Sequence, residues 1–180
     1  MTRVRLPGEL VTLRPLGRRD LDPVVASVMR WVTDGTPEEI VRDNVRGRIE
    51  RSGRMSEKEL LLGIEAEGRI VGDVQARSDA LPHGVFEVGI SVFEEADRRR
   101  GYGRGATSLL ASYLFTQANA HRVQLSTDVA NAPMRAIVER LGFECEGVMR
   151  GFWPEPDGPH DYAMYGMTEN NYEDVKATWI

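Results

Sequence analysis

The segment Glu94–Ala106, reading EEADRRRGYGRGA, limits what this chain can become more than any other stretch. Gly101, Gly103 and Gly105 stand among Arg98, Arg99, Arg100 and Arg104. Glycine inside a helix costs about 1 kcal/mol relative to alanine, so three glycines directly before a strong helical stripe point to backbone freedom at that place. Upstream, Val85, Phe86, Val88, Ile90 and Val92 follow a strand pattern, and a strand is expected over Val85–Val92. Downstream, Ala106, Leu109, Leu110, Tyr113 and Leu114 recur at helical spacing. A strand, a glycine turn and a helix in succession bring the orphan amides of a first helical turn, and the positive end of its dipole, to one place. Phosphates bind there, and arginines add charge and forked donors. The plainer reading is a surface turn with a solvated arginine cluster.

Two familiar phosphate sites do not match. The P-loop needs a Gly-Lys-Ser/Thr ending, which is absent. Gly101, Gly103 and Ala106 meet the dinucleotide fingerprint in letters. That fingerprint, however, belongs to the first βαβ unit of a parallel sheet and needs a ribose-binding acid about 20 residues later.

The rest of the chain sets the frame. Its 180 residues predict one domain. A single cysteine, Cys145, allows no internal disulfide, and the scattered His83, His121 and His160 give no metal spacing. No apolar run approaches the roughly 18 residues of a membrane helix, and the N-terminus builds no signal-like apolar region. The net charge of −5 argues against nucleic acid and for a cationic partner. The expectation is a small cytoplasmic domain without metal, membrane or nucleic acid.

Periodicity predicts the order βααβββαβαββ, a mixed sheet covered by helices in the α/β class. The first strand is expected at Leu10–Arg14. A helix follows from Leu21 to about Trp31, capped by Asp20. Thr36 caps a second helix with Pro37 at its first position and Glu39 closing a capping box. That helix buries Ile40, Val41, Val45 and Ile49 and ends near Ser52-Gly53. Glu57–Glu59 is a solvated turn. Strands at Leu60–Ala66 and Ile70–Ala76 flank a Glu67-Gly68 turn, and Ala80–Gly84 is a loop. After the glycine segment come a strand at Val123–Val129 and a helix over Ala132–Leu141 with Gly142 as its C′ residue. Strands at Phe143–Arg150 and Asp161–Thr168 close the chain, with Trp153–Pro159 as the loop between them.

These residues carry a family resemblance. Arg98-x-x-Gly101-x-Gly103 resembles the pyrophosphate loop of the GNAT superfamily of N-acetyltransferases, and the element order resembles that fold. The RimJ/RimL-type branch, which acetylates N-termini of ribosomal proteins and small amines, is resembled in several local signatures. They are Leu13-Arg14-Pro15-Leu16 with Asp20-Leu21, Phe86–Ile90, Arg100–Gly103, Asn131, Glu139–Phe143 with Glu146-Gly147, and Asp161 with Met164-Tyr165. The resemblance covers about residues 10–170.

It implies acetyl-coenzyme A as co-substrate, lying in a V-shaped opening where the strand at Val85–Val92 splays from the one at Val123–Val129. Ile90 and Val92 would pair with the pantetheine arm. Backbone amides and side chains from Arg98, Arg99, Arg100, Gly101, Gly103 and Arg104 would hold the pyrophosphate. The acetyl group would pass directly to a primary amine on a small molecule or a protein N-terminus, so Cys145 is expected to be a packing residue. The amine must first lose a proton. At pH 7 an α-amine of pKa about 7.8 is roughly 15% neutral, and a lysine-like amine of pKa about 10.4 only about 0.04%. An α-amine therefore needs only a modest base. Glu87, in an otherwise apolar strand, is the candidate; the bland reading is an outward-facing residue of the strand alternation.

Asn131 caps the following helix, and by the resemblance also reaches the pantetheine. The family places serine three residues on, where this chain has Met134, so proton delivery to the leaving thiolate falls to solvent or to Tyr165, which is otherwise a core residue. Acceptor contacts are expected from Trp31, Glu38 and Trp153 on an acidic, aromatic rim with Asp34, Glu155, Asp157 and His160; otherwise these are exposed loop residues. A homodimer is left open. A coenzyme A-binding sensor without catalysis, supported by Met134 alone, and a nucleotide-binding domain are the competing readings.

Overall fold

Charge ties the start of the chain together. In the computed structural model, which describes residues 3–32, 34–56, 58–79 and 81–179, the Arg14 guanidinium forks onto Asp20 at 2.7 and 3.0 Å. Both residues are buried, at 5% and 2% exposure, and Arg14 also reaches Glu65. The amide of Gly17 donates to the same Asp20 carboxylate at 2.7 Å. Asp20 is therefore used up inside a turn of 3-10 helix, Arg18–Asp20, and makes no side-chain cap on the helix that follows. This corrects its expected capping role.

The chain divides into two compact units, one of residues 1–79 with 89–110 and one of residues 80–88 with 111–180. The first contains β1 (Leu6–Pro7), β2 (Thr12–Arg14), α1 (Leu21–Met29), α2 (Glu38–Arg51), β3 (Glu59–Ala66) and β4 (Arg69–Arg77). The second contains β6 (Arg122–Asp128), α4 (Ala132–Arg140), β7 (Glu144–Glu155), β8 (Gly158–Thr168) and α5 (Glu169–Val175). β5 (Val85–Val92) and α3 (Tyr102–Gln117) each run through both. The strand order is β1-β2-β3-β4-β5-β6-β8-β7, with β5 and β6 parallel and the ladders β1 to β4 and β6-β8-β7 antiparallel. The expected mixed sheet is present, with β1 and α5 as additions the periodicity does not announce.

In the first unit Leu16, Val24, Val25, Val41, Val45, Ile49, Leu61, Ile70 and Phe93 form one buried cluster beneath α1 and α2. Ile40, expected in it, is 54% exposed. It belongs to the first turn of α2, which begins at Glu38 with Pro37 as its cap position. Thr36 does not cap this helix, because its amide and hydroxyl both bond Asp34. Buried Ser52 closes the helix, accepting from the Leu16 amide at 2.8 Å and donating to the Leu61 carbonyl at 2.9 Å. Glu67 and Gly68 both hold positive φ, 52° and 76°, the geometry of a two-residue hairpin turn. The turn at Glu57–Glu59 and the loop from Ala80 each include a residue outside those described.

In the second unit Leu114, Val123, Leu125, Val138, Leu141, Tyr165 and Met167 are buried. α4 ends as expected: Gly142 takes φ 87°, its amide donates to Glu139 and that of Phe143 to Val138, a Schellman closure. The loop expected at Trp153–Pro159 is instead a continuous hairpin, turning on Pro156-Asp157 alone. Pro154 and Pro159 stand directly opposite each other. Two residues without amide donors can share a non-hydrogen-bonded position of an antiparallel ladder at no loss.

Removing one partner of a buried ion pair strands the other charge. Asp20→Ala is expected to lose about 3–5 kcal/mol in urea denaturation. Removing the exposed Glu38–Arg42 pair with Glu38→Ala is expected to leave the urea midpoint almost unchanged. Equal losses would contradict the assignment of Asp20 as the structural charge.

Candidate functional site

The glycine segment of the first unit hangs on Asp97. This carboxylate is 2% exposed and accepts from both Arg69 guanidinium nitrogens, at 2.8 and 2.5 Å. The Arg69 guanidinium, opposed by burial, holds its carboxyl below the usual range. From there the chain turns sharply. Arg99 takes φ 60° and Gly101 φ 85°, a left-handed conformation that glycine adopts at no steric penalty. A Cβ on Gly101 would also lie 3.0 Å from Leu10 Cδ2. Tyr102 is buried and its hydroxyl donates to Glu67. Arg100 reaches the same Glu67, sits 3.8 Å from Asp97 and lies 5.1 Å from the Tyr102 ring centroid. Its guanidinium is thus engaged by the β3–β4 turn.

α3 begins at Tyr102, four residues before the apolar stripe, so Gly103 and Gly105 are helical and not loop residues. The first backbone bond there runs from the Gly105 amide to the Gly101 carbonyl at 2.9 Å. The amides of Tyr102, Gly103 and Arg104 consequently have no carbonyl one turn behind them. Arg98, Arg99 and Arg104 are exposed, and among the described residues none of them makes an ion pair.

Ile90 and Val92 are half-buried on β5. The neighbouring Ser91 carbonyl faces β4, so closely that a Cβ on Gly72 would meet it at 2.2 Å. Carbonyls alternate sides along a strand, which turns those of Ile90 and Val92 to the opposite edge of β5.

In the second unit β5 pairs with β6 at three positions only, from Val85–Arg122 to Glu87–Gln124. β6 itself runs on to Asp128. Glu87 is half-buried at the last paired position. Asn131 caps α4, accepting from the Met134 amide at 3.3 Å, and its Nδ2 donates to Thr127 Oγ1 at 3.1 Å. Tyr165 is fully buried. Its hydroxyl donates to Glu139 at 2.6 Å and accepts from Arg135 Nε at 3.0 Å. Burial, and then the bond to Glu139, raise the phenol above its ordinary range. Cys145, expected as a packing residue, is exposed, because β7 is the last strand of the sheet. Among the described residues no group of three or more His, Cys, Asp or Glu could hold a metal ion.

The acceptor-side residues fall in both units. In the first, Trp31 is 73% exposed just past α1, and Glu38 opens α2 with its carboxylate on Arg42 at 2.8 Å. In the second, Trp153, Asp157 and His160 gather at the β7–β8 hairpin. Trp153 pairs with His160 across it. His160 is held by Asp128 at 2.5 Å and Asp157 at 2.9 Å. A missed member is Tyr162, whose ring centroid lies 6.3 Å from that of Trp153. Only the unpredicted strand pairing brings them together.

The Acetyltransferase (GNAT) domain model matches residues 11–144. The SPbeta prophage-derived uncharacterized N-acetyltransferase YokL of Bacillus subtilis (strain 168) is 23% identical over 177 residues, covering 92% of this chain and 94% of that protein. Among solved structures, RimL, a ribosomal L7/L12 alpha-N-protein acetyltransferase in complex with coenzyme A, superposes with a TM-score of 0.76 at 17% identity, over 92% of this chain and 98% of that one. A chimera of the spermidine N-acetyltransferase SpeG from Vibrio cholerae with hSSAT gives 0.75 at 19% identity, over 92% and 99%. At such identities the structural likeness is one of fold.

The hydrogen bond that His160 donates to Asp128, with both aspartates' charge, holds the imidazole above its ordinary pKa of 6.5. A raised folded pKa adds stability that is full below the unfolded value and is lost as pH rises through the folded one. Histidine NMR titration is expected to place the His160 midpoint above 6.5, and Asp128→Asn is expected to lower it. A midpoint unchanged by that substitution would show that the contact does not form in solution.

Proposed function

The chain belongs to the GNAT acetyltransferases, and from that membership we propose that it moves an acetyl group from acetyl-coenzyme A directly to a primary amine, in the manner of the RimJ/RimL-type branch. One observation carries the reading. Three amides free of helical partners, at Tyr102, Gly103 and Arg104, stand beside Arg98, Arg99 and Arg104, exposed and without ion pairs among the described residues. Such an array suits a pyrophosphate.

The side chains divide the work. Arg98, Arg99 and Arg104 supply charge to the phosphates, with Gly101 and Gly103 allowing close backbone approach. Arg100, tied to Glu67, positions the loop. The Ile90 and Val92 backbone groups on the outer edge of β5 take the pantetheine amides, a ligand added to a strand edge. When bound, the thioester supplies an activated acetyl group and a thiolate leaving group. Glu87 takes the proton from the amine, directly or through water. Asn131 orients the chain of the cofactor near the start of α4. Tyr165, in its bonds to Arg135 and Glu139, is the side-chain candidate for a proton to the thiolate, with solvent as the alternative source. Trp31, Glu38 and Trp153 serve the acceptor, which is a small amine or a protein N-terminus; RimL and SpeG illustrate the two classes. The competing sensor reading rests on Met134 in place of serine.

A thiol-release assay across N-terminal peptides and small amines tests the proposal. Turnover with at least one acceptor is expected, and Glu87→Gln is expected to lower kcat by about 10²-fold. The loss should be greatest at low pH, where less amine is neutral. Acetyl-coenzyme A affinity should stay near wild type. Absence of turnover with every acceptor would favour the sensor, and an unchanged Glu87→Gln rate would remove Glu87 from the mechanism.

A further inference from the structure

Three aromatic rings stand together on the surface of the β7–β8 hairpin. Phe152, Trp153 and Tyr162 have centroids 5.6 to 6.3 Å apart with tilted planes. Phe152 and Trp153 are 47% and 51% exposed. Adjacent strand residues ordinarily face opposite sides of a sheet, so Phe152 and Trp153 should not both reach Tyr162. A bulge brings them there. The register runs from Met149–Tyr162 directly to Trp153–His160, leaving residues 150–152 against Asp161 alone. Gly151 makes the bend at φ 60°, and its amide is held by the Asp161 carboxylate at 2.7 Å. Bulges of this kind re-aim side chains, and this one has a dedicated glycine and a dedicated acceptor.

Carboxylates stand near the rings, two of them on the His160 imidazole. Asp128 and Glu155 are close enough for their charge to act on the Tyr162 phenol. Asp157 and Asp128 flank His160, the residue opposite Trp153. Exposed rings beside carboxylates attract a cation through ring quadrupole and charge together. Phe152 and Trp153 are about half exposed, so the cluster offers ring faces to one cationic group of a larger molecule and does not enclose a whole small amine.

We infer that Phe152, Trp153 and Tyr162, with the carboxylates of Asp128 and Glu155, form a subsite for a lysine or arginine side chain near the N-terminus of a polypeptide acceptor. The inference rests on the acetyl-transfer reading and narrows its acceptor to a peptide with a cation beyond the amine that reacts. The subsite itself is read by binding, apart from turnover.

The test follows the Trp153 indole N–H by NMR in the full-length protein during titration with two hexapeptides, one with arginine at its second position and one with glutamine there. Spermidine is the third ligand. The arginine peptide is expected to shift the Trp153 signal and to bind roughly tenfold more tightly than the glutamine peptide. Phe152→Ala should remove that preference and Phe152→Tyr should restore it. An unmoved indole, equal affinity for the two peptides, a preference that survives Phe152→Ala, or tighter binding of spermidine at Trp153 would each overturn the proposal. If the indole shifts as expected but none of the peptides and small amines of the turnover panel is acetylated, the transfer reading fails and the subsite stands.

Discussion

The buried carboxylate of Asp97 is the constraint on which the glycine segment and the start of α3 depend. Clamped by Arg69, it fixes the chain just before two left-handed residues, Arg99 and Gly101. Those two residues decide where α3 begins and which amides it leaves without partners. Glu67 completes the support from the β3–β4 turn by receiving Arg100 and Tyr102. Of the four arginines in the segment, Arg100 is therefore structural in its contacts, and Arg98, Arg99 and Arg104 are exposed without ion pairs among the described residues.

A similar economy runs through the start of the chain. Arg14, Asp20 and Glu65 satisfy one another where the backbone turns from β2 into α1. The motif Leu13-Arg14-Pro15-Leu16 with Asp20 is thus a packed charge pair flanked by Leu13 and Leu16, both buried. In the second unit the polar groups collect elsewhere: on Tyr165 between Arg135 and Glu139, and on His160 between two aspartates. The first joins the buried Tyr165 to the partly exposed Arg135 and Glu139, and the second lies at the exposed hairpin.

Much of this was legible in the sequence. Alternation located β3, β4, β5 and β6, and helical spacing with Asn131 and Gly142 located both ends of α4. The segment from Arg98 to Gly105 was recognisable from residue types alone as a glycine turn with clustered arginines before a helix. What was not legible had physical causes. Glycine propensity hid the first turn of α3, where helical amides need no partner and low propensity carries little penalty. Three prolines disguised the β7–β8 hairpin as a loop, since their tolerance depends on ladder positions that no local pattern reveals. Asp20 and Thr36 looked like caps, but Arg14 and Asp34 compete for them across or along the chain. The aromatic cluster of Phe152, Trp153 and Tyr162 depends on a bulge, which has no sequence period.

The most direct measurement is calorimetric titration of the full-length protein with acetyl-coenzyme A and, separately, with ATP. The account predicts saturable binding of acetyl-coenzyme A at one site per chain, with ATP much weaker. Tight binding of ATP without binding of acetyl-coenzyme A would contradict it.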